Sequence, residues 1–186
     1  MPTYCNVVRK SRNTGYGAGI KYGFTKVRTD LIGWMHSDLQ QNISLLDLGS
    51  EKMDKNFGLS KNLVAVKGLR VSRSRVDNFF TIGLSFFCSI LFQFRCWDIA
   101  GQPNIYRKMD LDFIKSAPDD HTFEFFVYLE FIKRGGKYVR FKAPFLKRMY
   151  GVSSWDTGLK SKIAHSFNIF KYLVRLRYQY LKQKKS

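Results

Sequence analysis

Four short clusters in this chain carry side chains able to bind or act on a charged ligand. His36, Ser37 and Asp38 follow at once on the apolar run Leu31 to Met35. A polar cluster at the carboxyl end of a buried strand is where open α/β sheets bind ligands. The plainer alternative has Asp38 capping the next helix and His36 on an ordinary surface. Lys67, Arg70, Arg73 and Arg75 form the second cluster, read as a basic loop beyond the strand Leu63 to Val66. Forked guanidinium groups suit bidentate contacts with phosphate, and a merely solvated basic loop is the competing reading. Asp98 and Gln102 mark a third cluster, in a loop that feeds the strand Ile105 to Tyr106. The fourth, Asp119, Asp120 and Glu124, straddles the start of the helical run Phe123 to Lys133, where an acid pair also serves as an N-terminal cap.

The elements that must position these residues alternate in type. Tyr4 to Val8 reads as a short strand and Gly17 to Val27 as a helix, with Gly17, Gly19 and Gly23 leaving a bare backbone for close packing. Leu31 to Met35 has the unbroken apolar character of a strand buried on both faces of a parallel sheet. Ile43 to Met53 reads as a helix, Asn78 to Phe94 as a very apolar helix with a polar stripe, and Tyr138 to Phe141 as a strand after Gly135 and Gly136. The 17 uncharged residues from Asn78 to Phe94 are marginal for spanning a bilayer, and their polar stripe argues against free exposure to lipid. Alternating β and α units predict an α/β fold.

Composition bounds the partners. The chain has 186 residues, 45% hydrophobic and 16% aromatic, enough apolar area for one domain with a core and too much for disorder. Its 32 Lys and Arg against 14 Asp and Glu give a formal charge of +18, which attracts phosphates, nucleic acid or an acidic leaflet. Both ends are basic, with no acid before Asp30 and none after Asp156. Cys5, Cys88 and Cys96 have neither zinc-site nor disulfide-framework spacing, so free thiols in a reducing compartment are expected. No signal-peptide core is visible, and a cytoplasmic location is expected.

The order of the motifs resembles the family 2 glycosyltransferases built like dolichyl-phosphate mannose synthase. They run as N-x-G-x-G-x-G at Asn13 to Gly19, H-S-D-L-Q at His36 to Gln40, and K-G-x-R at Lys67 to Arg70. D-I-x-x-Q-P-x-x-Y follows at Asp98 to Tyr106, then P-D-D at Pro118 to Asp120 and R-x-x-G-x-S-x-W at Arg148 to Trp155. The resemblance implies a GT-A, Rossmann-like mixed sheet flanked by helices over residues 1–156, and a basic amphipathic C-terminal helix over residues 157–186. It implies transfer of a sugar from a nucleotide-sugar to a polyprenyl-phosphate, that is lipid-phosphate, or to a saccharide (glycan) acceptor in cell-surface glycan synthesis.

Roles follow from the same resemblance. Asp38 takes the metal-binding position for Mg²⁺ or Mn²⁺, with oxygen ligands shared with donor phosphates. His36 stands where the family has an aspartate, and either assists the metal or donates to a phosphate. Lys67, Arg70, Arg73, Gln102 and Arg148 would hold the donor or acceptor phosphates, and Asp98 and Gln102 would contact sugar or acceptor. Asp98, Asp120 and Glu124 are the catalytic candidates, Asp120 and Glu124 (with Asp119) as general bases if the acceptor is a hydroxyl. The family's first nucleotide-gripping strands have no counterpart before Tyr4. The expectation is therefore a fragment of doubtful activity alone, with an exposed sheet edge that a second chain would complete.

From Leu159 to Lys182, apolar residues at helical spacing alternate with Lys160, Lys162, Lys171, Arg175 and Arg177. Such a helix reads as an anchor on an anionic membrane surface, peripheral on the cytoplasmic face, or as a core-packed helix with a solvated basic side. A basic nucleic-acid-binding module and a non-catalytic subunit of a polysaccharide-assembly complex are the rival readings. The first explains the charge but not Asp38, the glycine series or the Asp98 loop, so nucleic acid is not the expected partner.

Overall fold

The computed structural model describes residues 6–57, 63–146, 148 and 158–183. Its elements are α1 (Tyr16–Lys26), β1 (Leu31–Trp34), α2 (Ser44–Phe57), β2 (Val64–Val71), α3 (Arg75–Phe92), β3 (Asn104–Arg107), a 3-10 segment (Lys108–Ser116), α4 (Phe123–Lys133), β4 (Lys137–Pro144) and α5 (Leu159–Gln183). The four strands form one mixed sheet in the order β1-β3-β2-β4. β3 runs antiparallel to β1 and β2, while β2 and β4 are parallel, in register from Val64 opposite Lys137 to Val71 opposite Pro144. The fold is thus α/β with a mixed sheet flanked by helices, as the alternation of elements predicts.

The period-two geometry of strands sorts residues to opposite faces. Val64 and Val66 of β2, Ile105 of β3, and Phe141 and Ala143 of β4 pack with Leu45 and Met53 of α2 on one face. Ile32, Ala65 and Tyr106 point the other way, into a cluster with Leu111, Phe113 and Ile114 of the 3-10 segment and Phe123, Val127 and Phe131 of α4. A third cluster lies among helices, where Cys88 and Phe92 of α3 meet Phe125 and Leu129 of α4 and Ile169, Leu173 and Leu176 of α5. Burying each large aliphatic side chain in these clusters contributes about 1.5–3 kcal/mol.

Several expectations change. Leu31 to Met35 is not buried on both faces of a parallel sheet: β1 is an edge strand, paired antiparallel with β3, with Ile32 buried but Gly33 exposed. Its apolar run serves packing on α4 and the 3-10 segment. β2 continues to Val71, so Lys67 and Arg70 lie on the strand itself, and Arg75 opens α3. Extension is favoured because β4 pairs with β2 along its whole length. Of the expected strand Tyr4 to Val8, residues 6–8 are irregular and residues 4 and 5 lie outside the described residues, as do Cys5, the boundary at 156/157 and Gly151 to Trp155 of the last motif.

The glycine expectation holds at one position and fails at two. A Cβ on Gly17 would come within 2.2 Å of the Pro118 carbonyl oxygen, whereas Gly19 and Gly23 meet nothing. Gly68 has the same close-approach role on β2, with the Gln102 carbonyl oxygen 2.1 Å from where a Cβ would sit. Its amide donates to Pro103 O at 2.9 Å, tying the Asp98 loop to the strand.

Candidate functional site

β1, β2 and β4 end on the same side of the sheet, and β3, being antiparallel, begins there. Around that edge lies a cavity of about 910 Å³, closed on its far side by α3, α5 and the start of α4. Its wall includes Tyr16, His36, Asp38, Arg70, Arg73, Gln102, Glu124 and Arg148, with His121, Lys162 and His165. The chain has thus brought strand-end residues from four separate stretches to one place.

Glu124 is the polar centre of this edge. It sits in the first turn of α4, where the helix dipole favours a carboxylate. Asp120 stabilises the preceding turn by accepting from Thr122 N at 2.8 Å and Thr122 Oγ1 at 2.5 Å. One Glu124 oxygen accepts from Tyr16 Oη at 2.6 Å, Trp34 Nε1 at 2.7 Å and Gln102 Nε2 at 2.9 Å. The other faces Asn104 Nδ2 at 3.4 Å and Lys67 Nζ at 3.7 Å. Lys67, fully buried, also donates to Asn104 Oδ1. Burial pulls its pKa down to about 8, against the opposing pull of Glu124. Desolvation and the Glu124 charge push the Tyr16 hydroxyl's pKa upward, so it acts as a donor here.

Arg70 and Asp98 form the second unit. Asp98 takes a left-handed backbone (φ 38°), and its side chain accepts from Arg70 N and Arg70 Nε, each at 2.9 Å, and from Arg70 Nη2. Burial alone would raise the Asp98 pKa, but the charge and hydrogen bonds of Arg70, with Lys67 nearby, hold it below the usual carboxylate range. Asp98 therefore lies behind the cavity wall and aims Arg70 at the cavity. Arg70 and Arg73 both lie over the Phe145 ring, at 6.0 and 5.7 Å, and Arg73 Nη1 donates to Thr81 Oγ1 at 2.7 Å.

At the rim, Asp38 Oδ2 bonds Arg148 Nη2 at 2.9 Å, across 110 residues of sequence, and Asp38 Oδ1 accepts from Gln40 N at 3.3 Å. His36 is open to solvent yet crowded by protein. That desolvation lowers its imidazole pKa, with Arg70 and Arg148 adding to the effect and Glu124 and Asp38 opposing it. His121 and His165 lie with ring centroids 4.4 Å apart, and burial followed by the charge of His121 lowers the His165 pKa. Lys162 of α5 bonds Asp77 at 2.6 Å.

Of the residues given roles from sequence, His36, Asp38, Arg70, Arg73, Gln102, Glu124 and Arg148 line the cavity, whereas Asp119 pairs with Lys21 at 2.8 Å. Lys67 and Asp98 lie directly behind it as partners of Glu124 and Arg70, and Asp120 is committed to Thr122. Tyr16, Trp34, Phe145, Lys162 and the two histidines were missed. Tyr16 was the one with a local signal, because it lies between Gly15 and Gly17 of the N-x-G-x-G-x-G motif. Among the described residues no group of three His, Cys, Asp or Glu is placed to hold a metal. Asp38 alone suits a hard cation that takes its remaining oxygens from phosphates, with Arg148 as the present partner of that carboxylate.

Neither a scan against protein-family models nor a search of curated proteins gives a match to this chain.

Proposed function

We propose that the chain is a glycosyltransferase domain that moves a sugar from a nucleotide-sugar to a polyprenyl phosphate, in cell-surface glycan synthesis. One observation carries this reading: Asp38, the nearby pair Arg70 and Arg73, and Arg148, from three separate stretches of sequence, meet around a cavity at the carboxyl edge of the sheet. Three guanidinium groups on one wall suit two phosphate-bearing substrates, each of which needs charge neutralisation and fixed orientation. The GT-A assignment, finer than an α/β mixed sheet, belongs to the same proposal.

A lipid phosphate is preferred over a saccharide hydroxyl because of where the acids stand. Among the described residues, each carboxylate on the cavity wall is already engaged: Asp38 by Arg148, Asp77 by Lys162, and Glu124 by Tyr16, Trp34 and Gln102. A hydroxyl acceptor needs one of them to take its proton. A phosphate oxygen is nucleophilic as it stands. It forms the bond to the anomeric carbon as the bond from that carbon to the nucleotide diphosphate breaks, and the leaving group keeps the electron pair. Arg70, Arg73 and Arg148 would hold the two anions, Glu124 would keep Tyr16 and Gln102 in place, and Asp98 would fix Arg70. Asp38, with His36 beside it, would hold Mg²⁺ or Mn²⁺, which when bound stabilises charge on the leaving diphosphate.

Transfer of labelled sugar from a panel of nucleotide-sugars to polyprenyl phosphate, with and without divalent cation, tests the proposal. The wild-type chain is expected to give a labelled lipid product and Asp38→Ala to abolish it. Equal product from the two proteins, or oligonucleotide binding in place of any nucleotide-sugar binding, would sink the reading.

A further inference from the structure

α5 carries two apolar stripes. Ile169, Leu173 and Leu176 face the core, while Ile163, Phe167, Phe170, Val174, Tyr178 and Leu181 recur at the same three-and-four spacing and are exposed. With 3.6 residues per turn, the second stripe lies about a third of a turn from the first. α3 repeats the arrangement: Ser85, Cys88 and Phe92 are buried, and Phe79, Ile82, Phe86 and Ile90 stand out, Phe79 at 73% exposure. The two helices run side by side in the same direction, linked by Asp77 with Lys162, Phe87 with Phe170 (ring centroids 4.4 Å) and Phe92 with Tyr180. An apolar groove between them is lined by Phe79, Phe87, Phe167 and Phe170. The exposed stripes therefore make one continuous face, larger than scattered surface hydrophobics account for.

We infer that this α3–α5 face lies on an anionic lipid leaflet. Charge complementarity selects the occupant. Lys160, Lys171, Arg175 and Lys182 are on α5 beside the exposed stripe, Lys171 with its ammonium 4.6 Å over the Phe167 ring, and α5 contains no acidic residue. Long basic side chains flanking aromatic and aliphatic residues on a helix laid flat match the boundary between headgroups and acyl chains. A second copy of the same face would set like charges against each other. α3 is long and apolar enough by length and composition to cross a bilayer. Its inner face is nevertheless packed on α4 and α5, so it lies along the surface with them. Phe80, Leu84 and Ser166 line both the groove and the main cavity, so the face meeting lipid is also a wall of that cavity.

The test uses the whole chain and vesicles of phosphatidylcholine with or without phosphatidylglycerol, in the absence of any nucleotide-sugar, so its failure is separate from failure of the transfer reaction. Wild type is expected to sediment with phosphatidylglycerol vesicles and to be weakened by salt. Phe79→Asp with Phe86→Asp, and separately Lys171→Glu with Arg175→Glu, are expected to cut the affinity by about tenfold or more at unchanged circular dichroism. Both pairs are exposed, so folding is not at risk. No vesicle binding, equal binding by all three proteins, or a wild-type dimer that the variants dissociate would overturn the inference.

Discussion

Two neighbouring residues of β2 divide the molecule. Val66 faces α2 and joins a cluster made only of apolar side chains, while Lys67 faces α4 and meets Glu124 and Asn104 in a fully buried polar group. The α2 side holds the sheet by area alone. The α4 side buries Lys67, Asp98, Gln102, Asn104 and Glu124 along the edge that opens into the cavity. Buried charge adds little net stability compared with apolar packing of similar volume, so its concentration at one end of the sheet is the contrast on which the proposed site rests.

Breaking the polar side should cost most. Glu124→Ala leaves Lys67 buried without its counter-charge and Tyr16 and Trp34 without an acceptor, while Gln102 Nε2 keeps only Tyr16 Oη at 2.7 Å, and a loss of about 3–5 kcal/mol is expected in urea unfolding. Met53→Ala on the apolar side should cost about 2–4 kcal/mol through the cavity it leaves, with ligand binding at the opposite edge intact.

Arg70→Lys sharpens the comparison further. It keeps the charge and removes the fork on Asp98, for an expected loss of about 1.5–3 kcal/mol near neutral pH. The Asp98 pKa is lower folded than unfolded, so the stability the pair contributes is complete above the unfolded value of about 3.9 and is lost as pH falls through the folded one. The gap between wild type and Arg70→Lys should accordingly narrow below about pH 4 in thermal unfolding followed across pH.

Much of this division was legible in the sequence, for different reasons on its two sides. α4 matched its expected bounds because an aromatic-rich run is closed by Gly135 and Gly136, the first of which has φ 87°. β1 was legible as a strand but not as an edge, since an unbroken apolar run reports burial and not which neighbour covers it. Lys67 was read as a loop residue because a lysine breaks the apolar run. Its distant partners Glu124 and Asn104 make a buried strand position tolerable, and those pairings have no local signal. The 3-10 segment Lys108–Ser116, with four charged residues, gave no periodicity to follow, although Leu111, Phe113 and Ile114 anchor it in the core. Asp38 and Arg148 were each singled out, but their contact depends on how β4 returns the chain to the cavity.

The most direct measurement is a calorimetric titration of nucleoside diphosphate, with Mg²⁺, into wild type, Arg148→Ala and Met53→Ala. Binding should be lost or weakened by about tenfold or more in Arg148→Ala and unchanged in Met53→Ala wherever that variant is folded. Equal affinity for wild type and Arg148→Ala, or a loss confined to Met53→Ala, would contradict a phosphate-binding cavity at the carboxyl edge of the sheet.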